Sequence, residues 1–264
     1  MSENNHYTYP CSIKNYADFA AFSKKEKEIF VKLHIQRFVR AVYADVLRQN
    51  GFISYGGEDL SWYRVSNNEV MHAVYFYTTR LSVPIFLDVA YGIHPLYQEA
   101  PLPVKPYVSI LPGISQEVAR EATLGFPNGV YRDDVLVNCD YETFGVNYLP
   151  NLLDKFQQAS DLKSCYQTHR AFYEELQCLH NMSVTLIAEA IYFNDTELYP
   201  LCLHRIDDVE PRLRNAKLKI CRQQAALYQE CKDAILKDRD AYLELLACRR
   251  REFIQKLSNA GVAF

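Results

Sequence analysis

Apolar side chains recur at helical spacing behind a helix-start signal near the N-terminus. Ser23-Lys24-Lys25-Glu26 has the form of a capping box, in which the hydroxyl and the carboxylate each accept a backbone N–H. The apolar positions that follow lie three or four residues apart or at multiples of a turn: Ile29, Phe30, Leu33, Val42, Val46 and Leu47. Because Gly51 suits the position just past a helix end, we predict one helix from Lys24 to Asn50.

The hydrophobic pattern changes to that of β-strands after residue 60. Leu60–Val65 and Val70–Thr78 flank the turn Ser66-Asn67-Asn68-Glu69, which predicts a hairpin. Three further strands are predicted in order: Ile85–Tyr91, Tyr107–Leu111 and Val130–Val137. The short links between them favour antiparallel pairing. One face of this sheet needs a cover, and the Lys24–Asn50 helix is the expected one.

From about Tyr148 the spacing is helical to the end of the chain. Predicted helices span Leu149–Ala159, Asp161–Leu179 and Ser183–Phe193. A long basic stretch, Val209–Leu257, follows with a break near Asp238, and Pro211 would fall in its first turn. The fold class predicted is therefore α+β: an N-terminal helix on an antiparallel sheet, then a helical C-terminal region with a long helix or helical hairpin.

Two regions are predicted, an α+β domain at 1–145 and a helical region at 146–264. From Arg205 to Phe264 the chain has thirteen Lys/Arg against nine Asp/Glu, a balance of +4, so the rest carries −7. Several apolar residues in the basic stretch keep a partial seven-residue spacing, as a partner-facing coil would: Leu213, Ile220, Leu227, Cys231, Ile235, Tyr242, Leu245 and Phe253. This apolar stripe favours an association surface, so a chain cut after about Asp208 is expected to stay folded.

The composition is that of a globular protein, with 49% apolar and 23% charged residues. A net charge of −3 does not suggest a nucleic-acid partner. The most apolar window, Leu81–Tyr97, is shorter than the ~20 residues that span a bilayer, so we expect no membrane partner. Met1–Pro10 has no export signal, and the eight cysteines form no CxxC pair. A cytoplasmic location with reduced thiols is therefore expected.

Common catalytic signatures do not occur in the sequence. There is no GxGxxG, no GxxxxGK[ST], no HExxH and no GxSxG. Their absence counts against Rossmann dehydrogenases, P-loop NTPases, zincin proteases and α/β-hydrolases. We therefore favour a protein without enzymatic activity, and an unusual enzyme stays open.

The best metal-ligand pair is Cys165 with His169, which share one face of a helix at i and i+4. The other candidate pairs, Cys178/His180 and Cys202/His204, diverge on a helix because they are two residues apart. Structural zinc sites usually show shorter, more compact pairs. We therefore predict no bound metal and no cofactor.

Carboxylates provide two weaker candidates. Asp133, Asp134, Asp140 and Glu142 form an acidic cluster that could hold Mg²⁺ or divide acid and base roles, although a solvated turn explains it more simply. Glu189 lies in the apolar run Leu186–Ile191. A half-buried carboxyl is one explanation, and an exposed position on the helix is the preferred one.

Aromatic residues dominate the hairpin strands, and we predict core packing together with an exposed protein-binding face, with Trp62, Tyr75 and Tyr77 as its binding residues. A base-stacking platform is the alternative, but it needs basic neighbours, and only Arg64 and Arg80 are close in sequence. The triplet Arg249-Arg250-Arg251 could contact phosphates. A triplet near a helix C-terminus also complements the helix dipole, which is the preferred explanation.

Several local motifs resemble those of a known family. They are Gly51-Phe52, Trp62-Tyr63-Arg64, Gly92-Ile93-His94-Pro95-Leu96 and the segment Tyr148-Leu-Pro-Asn-Leu-Leu-Asp-Lys-Phe156. Over residues 25–195 the chain resembles a bacterial α+β domain family of unknown function, also found near polymorphic-toxin loci. The resemblance implies an α+β fold and a role of toxin-immunity type, and no active-site residue is carried over from it.

The sequence thus predicts a cytosolic protein-interaction module, with another protein or a second copy of the chain as partner. Two alternatives stay open. One is an enzyme or metal-binding protein that uses the Cys165/His169 region or the Asp133–Glu142 cluster, and the other is a nucleic-acid binder that uses the basic C-terminal helix.

Overall fold

A computed structural model describes most of the sheet and nearly all of the C-terminal helices. The described residues are 22–26, 28–29, 36, 39–40, 43–56, 59–77, 88–97, 131–132, 135–136, 152–175, 177–259 and 261–262. The predicted strand at Tyr107–Leu111 and the acidic cluster Asp133–Glu142 lie outside them.

The sheet is antiparallel, as predicted, with four strands in the order β1-β2-β3-β4. These strands are β1 (Ile53–Ser54), β2 (Ser61–Ser66), β3 (Val70–Tyr77) and β4 (Asp88–Pro95). The β2–β3 turn has Asn67 and Asn68 in left-handed conformations, φ 51° and 55°, which asparagine tolerates. The third predicted strand, Ile85–Tyr91, is found as β4 and continues beyond the predicted end to Pro95, where the missing N–H ends the ladder. Residues 85–87 lie outside the described part of the chain.

A second, two-stranded sheet stands where a single strand, Val130–Val137, was predicted. Its strands are β5 (Tyr131–Arg132) and β6 (Val135–Leu136), paired antiparallel. The sequence pattern could not show this because each strand is only two residues long.

The predicted capping box is confirmed at the start of the N-terminal helix. The Ser23 backbone N–H donates to Glu26 Oε2 at 2.7 Å, and the Glu26 N–H donates to Ser23 Oγ at 3.3 Å. Tyr43 lies in a turn, after which helix α1 spans Ala44–Gln49, so the predicted single helix to Asn50 is interrupted there. Gly51 adopts φ 79° just past the helix end, as its position predicted.

The C-terminal half is helical, as predicted. After α2 (152–158) the helices are α3 (Leu162–Glu175), α4 (Val184–Tyr192), α5 (Tyr199–Arg214), α6 (Lys219–Leu236) and α7 (Arg239–Asn259). The predicted break near Asp238 is confirmed, and the Asp238 carboxylate accepts the Ala241 N–H at 2.9 Å. The prediction for Pro211 is wrong, because α5 begins ten residues before Val209 and Pro211 lies inside it.

The main hydrophobic core takes side chains from both sides of the predicted boundary at residue 145. Tyr43, Leu47 and Trp62 from the N-terminal part are in one buried cluster with Phe156, Ile187 and Tyr242 from the helical part. A second cluster lies on the opposite face of the sheet, where Tyr63 and Met71 meet Phe253 and Leu257 of α7. Helices therefore cover both faces of the sheet.

The apolar stripe of the basic stretch is largely core. Cys231, Tyr242 and Phe253 are at most 7% exposed, whereas Ile220 and Leu245 are 44% and 37% exposed. The preference for an association surface along the whole stripe is therefore wrong. The physical reason is that α6 and α7 supply buried side chains to the main cluster and α7 also supplies them to the second, so the sheet and the earlier helices do not close these clusters by themselves.

His72 joins the sheet to α2 with a defined tautomer. Its Nε2–H donates to the Ala159 carbonyl at 2.9 Å, and its Nδ1 accepts from Arg64 Nη2 at 3.0 Å. The ring stacks on Phe156 with centroids 4.6 Å apart. Burial, with a smaller contribution from the Arg64 charge, lowers the pKa of His72 to about 4, although the hydrogen bond to Ala159 opposes the shift. The folded protein therefore holds this imidazole neutral.

We expect the free energy of unfolding to fall as the pH drops from 7 toward 4. The unfolded chain binds a proton at His72 near its ordinary pKa of 6.5, whereas the folded chain does so only near 4. Acid therefore favours the unfolded state, by about 2 kcal/mol between pH 7 and pH 5. Urea unfolding at several pH values measures this loss.

A His72→Gln variant provides the control for this pH dependence, because its amide can still donate toward the Ala159 carbonyl but does not titrate. Its stability should fall less steeply with acid between pH 7 and pH 5. An unchanged slope would assign the acid sensitivity to other groups.

Candidate functional site

Helices α3 and α4 form an antiparallel hairpin that sets the positions of three buried polar residues. At one end of the hairpin, the Tyr173 hydroxyl of α3 accepts the Ser183 backbone N–H at 3.1 Å, and Ser183 caps α4. At the other end, Tyr166 and Arg170 of α3 both contact the Asp195 carboxylate. These contacts fix how far α3 and α4 slide along each other.

Cys165, His169 and Glu189 meet between these two helices, and we call them the buried triad. All three are at most 1% exposed. His169 Nδ1 lies 2.8 and 2.9 Å from the two carboxylate oxygens of Glu189, and Cys165 Sγ lies 3.3 Å from Glu189 Oε1. One donor atom from each side chain lies within 4.8 Å of the others. A thiol, an imidazole and a carboxylate thus converge on one point.

The sequence predicted two of these three residues as a pair and misjudged the third. The shared face of Cys165 and His169 is confirmed by their side-chain contact. The preferred exposed position of Glu189 is wrong, because this residue is 0% exposed. A carboxylate among the apolar residues of α4 was the available signal, but its partner lies twenty residues earlier, on another helix.

The other cysteine–histidine pairs do not join the buried triad in the described structure. Cys202 Sγ contacts Met182 Sδ at 3.6 Å, and His204 is exposed. His180 contacts the neighbouring Asn181 side chain. The outcome for Cys202 and His204 agrees with the divergence expected for residues two apart on a helix, whereas Cys178 and His180 lie in the connection between α3 and α4.

The buried triad does not have the arrangement of a cysteine nucleophile with a histidine base. Cys165 Sγ is 3.8 Å from Nδ1 and 3.9 Å from Nε2 of His169, so the sulfur lies in line with neither ring nitrogen. Burial raises the pKa of the Cys165 thiol well above its ordinary value, and the Glu189 charge raises it further. An activated nucleophile needs a lowered pKa and an in-line base, so this arrangement does not support covalent catalysis.

The same geometry fits the ligand set of a metal ion. Bonds of ~2.3 Å to sulfur and ~2.1 Å to nitrogen or oxygen at tetrahedral angles separate sulfur from N or O ligands by about 3.5 Å. The observed separations, 3.8 Å to His169 and 3.3 Å to Glu189, are close to that value. A bound zinc ion would hold its N and O ligands about 3.3 Å apart. His169 Nδ1 lies 2.8 and 2.9 Å from the Glu189 oxygens, so this distance would have to increase by roughly half an ångström.

Two further buried polar groups lie near the buried triad. The Tyr97 hydroxyl and His94 Nε2 have no hydrogen-bond partner among the described residues. Burial raises the pKa of Tyr97 well above its ordinary value, and the charges of Glu189 and Cys165 add to this effect. Burial, with smaller contributions from His169 and His72, lowers the pKa of His94 to about 3. This part of the interior therefore holds more polar groups than its hydrogen bonds satisfy.

The predicted aromatic binding residues are not gathered on one exposed face. Trp62 is 0% exposed, and its Nε1–H donates to the Asp59 carbonyl at 2.9 Å, so its place on a binding surface is wrong. Tyr75 is half-buried against the main core. The Tyr77 side chain lies outside the described structure. The reason for the error is that Trp62 faces the main core, where helices of the C-terminal half supply side chains such as Phe156 and Ile187.

The three arginines predicted together near the end of the chain separate in their contacts. Arg249 binds both carboxylate oxygens of Glu230 at 2.7 and 2.8 Å, which ties α7 to α6. Arg250 and Arg251 form no salt bridge with any described residue. Only the last two are therefore available to an anion from outside the protein.

No family model, curated protein or solved structure matches this sequence. The resemblance to a bacterial α+β family near toxin loci therefore stays a prediction. Among the described residues, no helix combines the length and the apolar character that crossing a bilayer requires.

Proposed function

We propose that this protein binds a transition-metal ion, with Zn²⁺ as the best match to the ligands, through Cys165, His169 and Glu189. The observation that supports the proposal is the convergence of three different metal-ligand groups, from two helices, in a part of the core with no solvent access. Thiolate, imidazole and carboxylate are the three protein ligand types that zinc takes.

The role proposed for the metal is structural. Each of the three ligands is at most 1% exposed, so a substrate would have no direct path to the ion. Metal bonds across α3 and α4 would stabilise the folded state, since the unfolded chain holds no preformed site. Binding would also release the Cys165 proton, because the thiolate is the metal-binding form.

The test is the metal content of protein purified without chelator from zinc-supplemented cells. We expect about one zinc per chain, and a melting temperature that falls when a strong chelator removes it. Cys165→Ser and Glu189→Gln should each lose most of the bound zinc. Cys202→Ser is the matched control, because Cys202 is equally buried but its thiol donates to the Met182 sulfur and lies apart from the buried triad.

Two results would overturn this function. One is wild-type protein that contains no metal and melts at the same temperature with and without added Zn²⁺. The other is a Cys165→Ser variant that holds as much zinc as the wild type. The buried triad would then be a hydrogen-bonded pair of His169 and Glu189 with a thiol donor.

For the cellular role of the protein, we retain the proposal made from the sequence that it is a protein-interaction module. A cytoplasmic location and a role of toxin-immunity type are part of it. It is compatible with a structural metal, which would hold the helical half together while another surface meets a partner. Capture of one specific protein partner from the native organism, in proportion to the amount of bait, would support it.

A further inference from the structure

A cavity of about 640 Å³ lies between the end of β4, the ends of the α3–α4 hairpin and one face of α7. Its size falls within the ~300–1,000 Å³ of small-molecule sites. Most of its lining is apolar and comes from α7 and from Leu162, the first residue of α3. Tyr97 and Tyr192 line it too, with stacked rings whose centroids are 5.4 Å apart.

Two cations lie on the α7 side of this cavity. Arg250 and Arg251 follow Leu243 and Ala247 along one helical face, at positions i+4, i+7 and i+8 from Leu243. The Nη2 group of Arg250 donates to the Asn68 carbonyl, and Arg251 Nη2 lies 3.0 Å from Cys248 Sγ. No described carboxylate neutralises either residue, in contrast to Arg249 with Glu230. The cavity thus pairs apolar walls with uncompensated positive charge.

Tyr97 contributes an aromatic wall to this cavity. Its ring lines the cavity and stacks on Tyr192, while its hydroxyl is enclosed and has no hydrogen-bond partner among the described residues. The polar recognition of a ligand in the cavity therefore depends on the two arginines of α7.

We propose that this cavity binds a small amphiphile with one anionic head group, a carboxylate or a phosphate. The apolar body would pack on Leu162, Leu243 and Ile254. The head group would lie at Arg250 and Arg251, since guanidinium groups bind both kinds of anion through paired N–H donors. The proposal rests on α7 and Tyr97 and does not depend on metal in the buried triad.

The test is calorimetric titration of the full-length protein with three probes that share a ten-carbon chain: decanoate, decyl phosphate and 1-decanol. We expect both anions to saturate at one molecule per chain. The alcohol should bind roughly 10-fold to 100-fold more weakly, the usual size of a hydrogen bond to a charged group. A preference between the two anions would identify the head group, and equal affinities would mean that the site accepts either.

Two variants locate the binding. In Arg250→Gln/Arg251→Gln the affinity for both anions should fall to that of decanol, while decanol binding stays unchanged. In Ala247→Trp, which fills the cavity from an exposed position on α7, all three probes should lose binding. Arg212→Gln on α5 is the control for loss of an arginine elsewhere, because it removes one such charge from an exposed site with an Asp208 partner.

Far-UV circular dichroism and melting temperatures confirm that the variants fold. Equal affinity for anions and alcohol in the wild type would overturn the proposal. So would wild-type affinity for decanoate in a folded double-arginine variant or in a folded Ala247→Trp variant. Absence of saturable binding by the folded wild-type protein would overturn it as well.

Discussion

A chain that ends after Asp208 will fail to fold. The truncation removes α6 and α7, which bury five large side chains at 7% exposure or less: Tyr228, Tyr242, Leu246, Phe253 and Leu257. Each contributes ~1.5–3 kcal/mol of burial, so the loss is roughly 8–15 kcal/mol. This equals the whole stability of a typical domain, ~5–15 kcal/mol. The truncation also uncovers Tyr63 and Met71 on the second face of the sheet.

Size-exclusion chromatography with light scattering, together with circular dichroism, measures this outcome. We expect aggregation or an unfolded profile for the truncated chain and a cooperative melt for the full-length protein. Phe253→Ala provides an intermediate step, with a loss of ~3–5 kcal/mol from one buried ring. A truncated chain that stays soluble and melts cooperatively would show that α6 and α7 are dispensable for the fold.

Trp62→Ala will lower the free energy of unfolding by ~3–5 kcal/mol, the usual result of removing a buried tryptophan. The side chain is 0% exposed and belongs to the main core. Its removal leaves the Asp59 carbonyl without the indole N–H, and Arg48 without the ring that its guanidinium lies over at 5.4 Å. Trp62→Phe should lose less, because a ring still fills much of the space.

Urea unfolding followed by circular dichroism is the right measurement, because Trp62 is the only tryptophan and the variants lose its fluorescence. A change within about 0.5 kcal/mol, typical of surface positions, would contradict the burial described above. The same result would make Trp62 a candidate for an exposed binding face again.

The sequence predicted the local elements well where they depend on near neighbours. The capping box at Ser23, the Ser66–Glu69 turn of the hairpin and the predicted helix start at Ser183 all involve contacts within four residues. The prediction missed the start of α5. Pro200 lies in the first turn of this helix, a position where proline is a helix-start signal. The sequence therefore predicts local structure reliably where the deciding contacts span no more than one helical turn.

The candidate site was only partly predictable, because its members meet through tertiary packing. Cys165 and His169 share a helix face, which spacing alone reveals. Glu189 joins them only because the hydrogen bonds at Ser183 and Asp195 align α4 with α3. The covered second face of the sheet was missed for the same reason, since Phe253 and Met71 are far apart in sequence.

The β2–β3 turn would be an obvious place to insert an affinity tag, because Asn67 and Asn68 are exposed and turns usually tolerate insertions. Here the turn makes three contacts that hold two other segments, the start of α3 and one side chain of α7. Glu69 Oε2 accepts the Leu162 N–H at the start of α3, the Asn67 amide donates to the Ser160 carbonyl, and the Asn68 carbonyl accepts from Arg250. An inserted peptide would therefore displace both the helix that carries Cys165 and the arginine beside the cavity, so tags belong elsewhere on this chain.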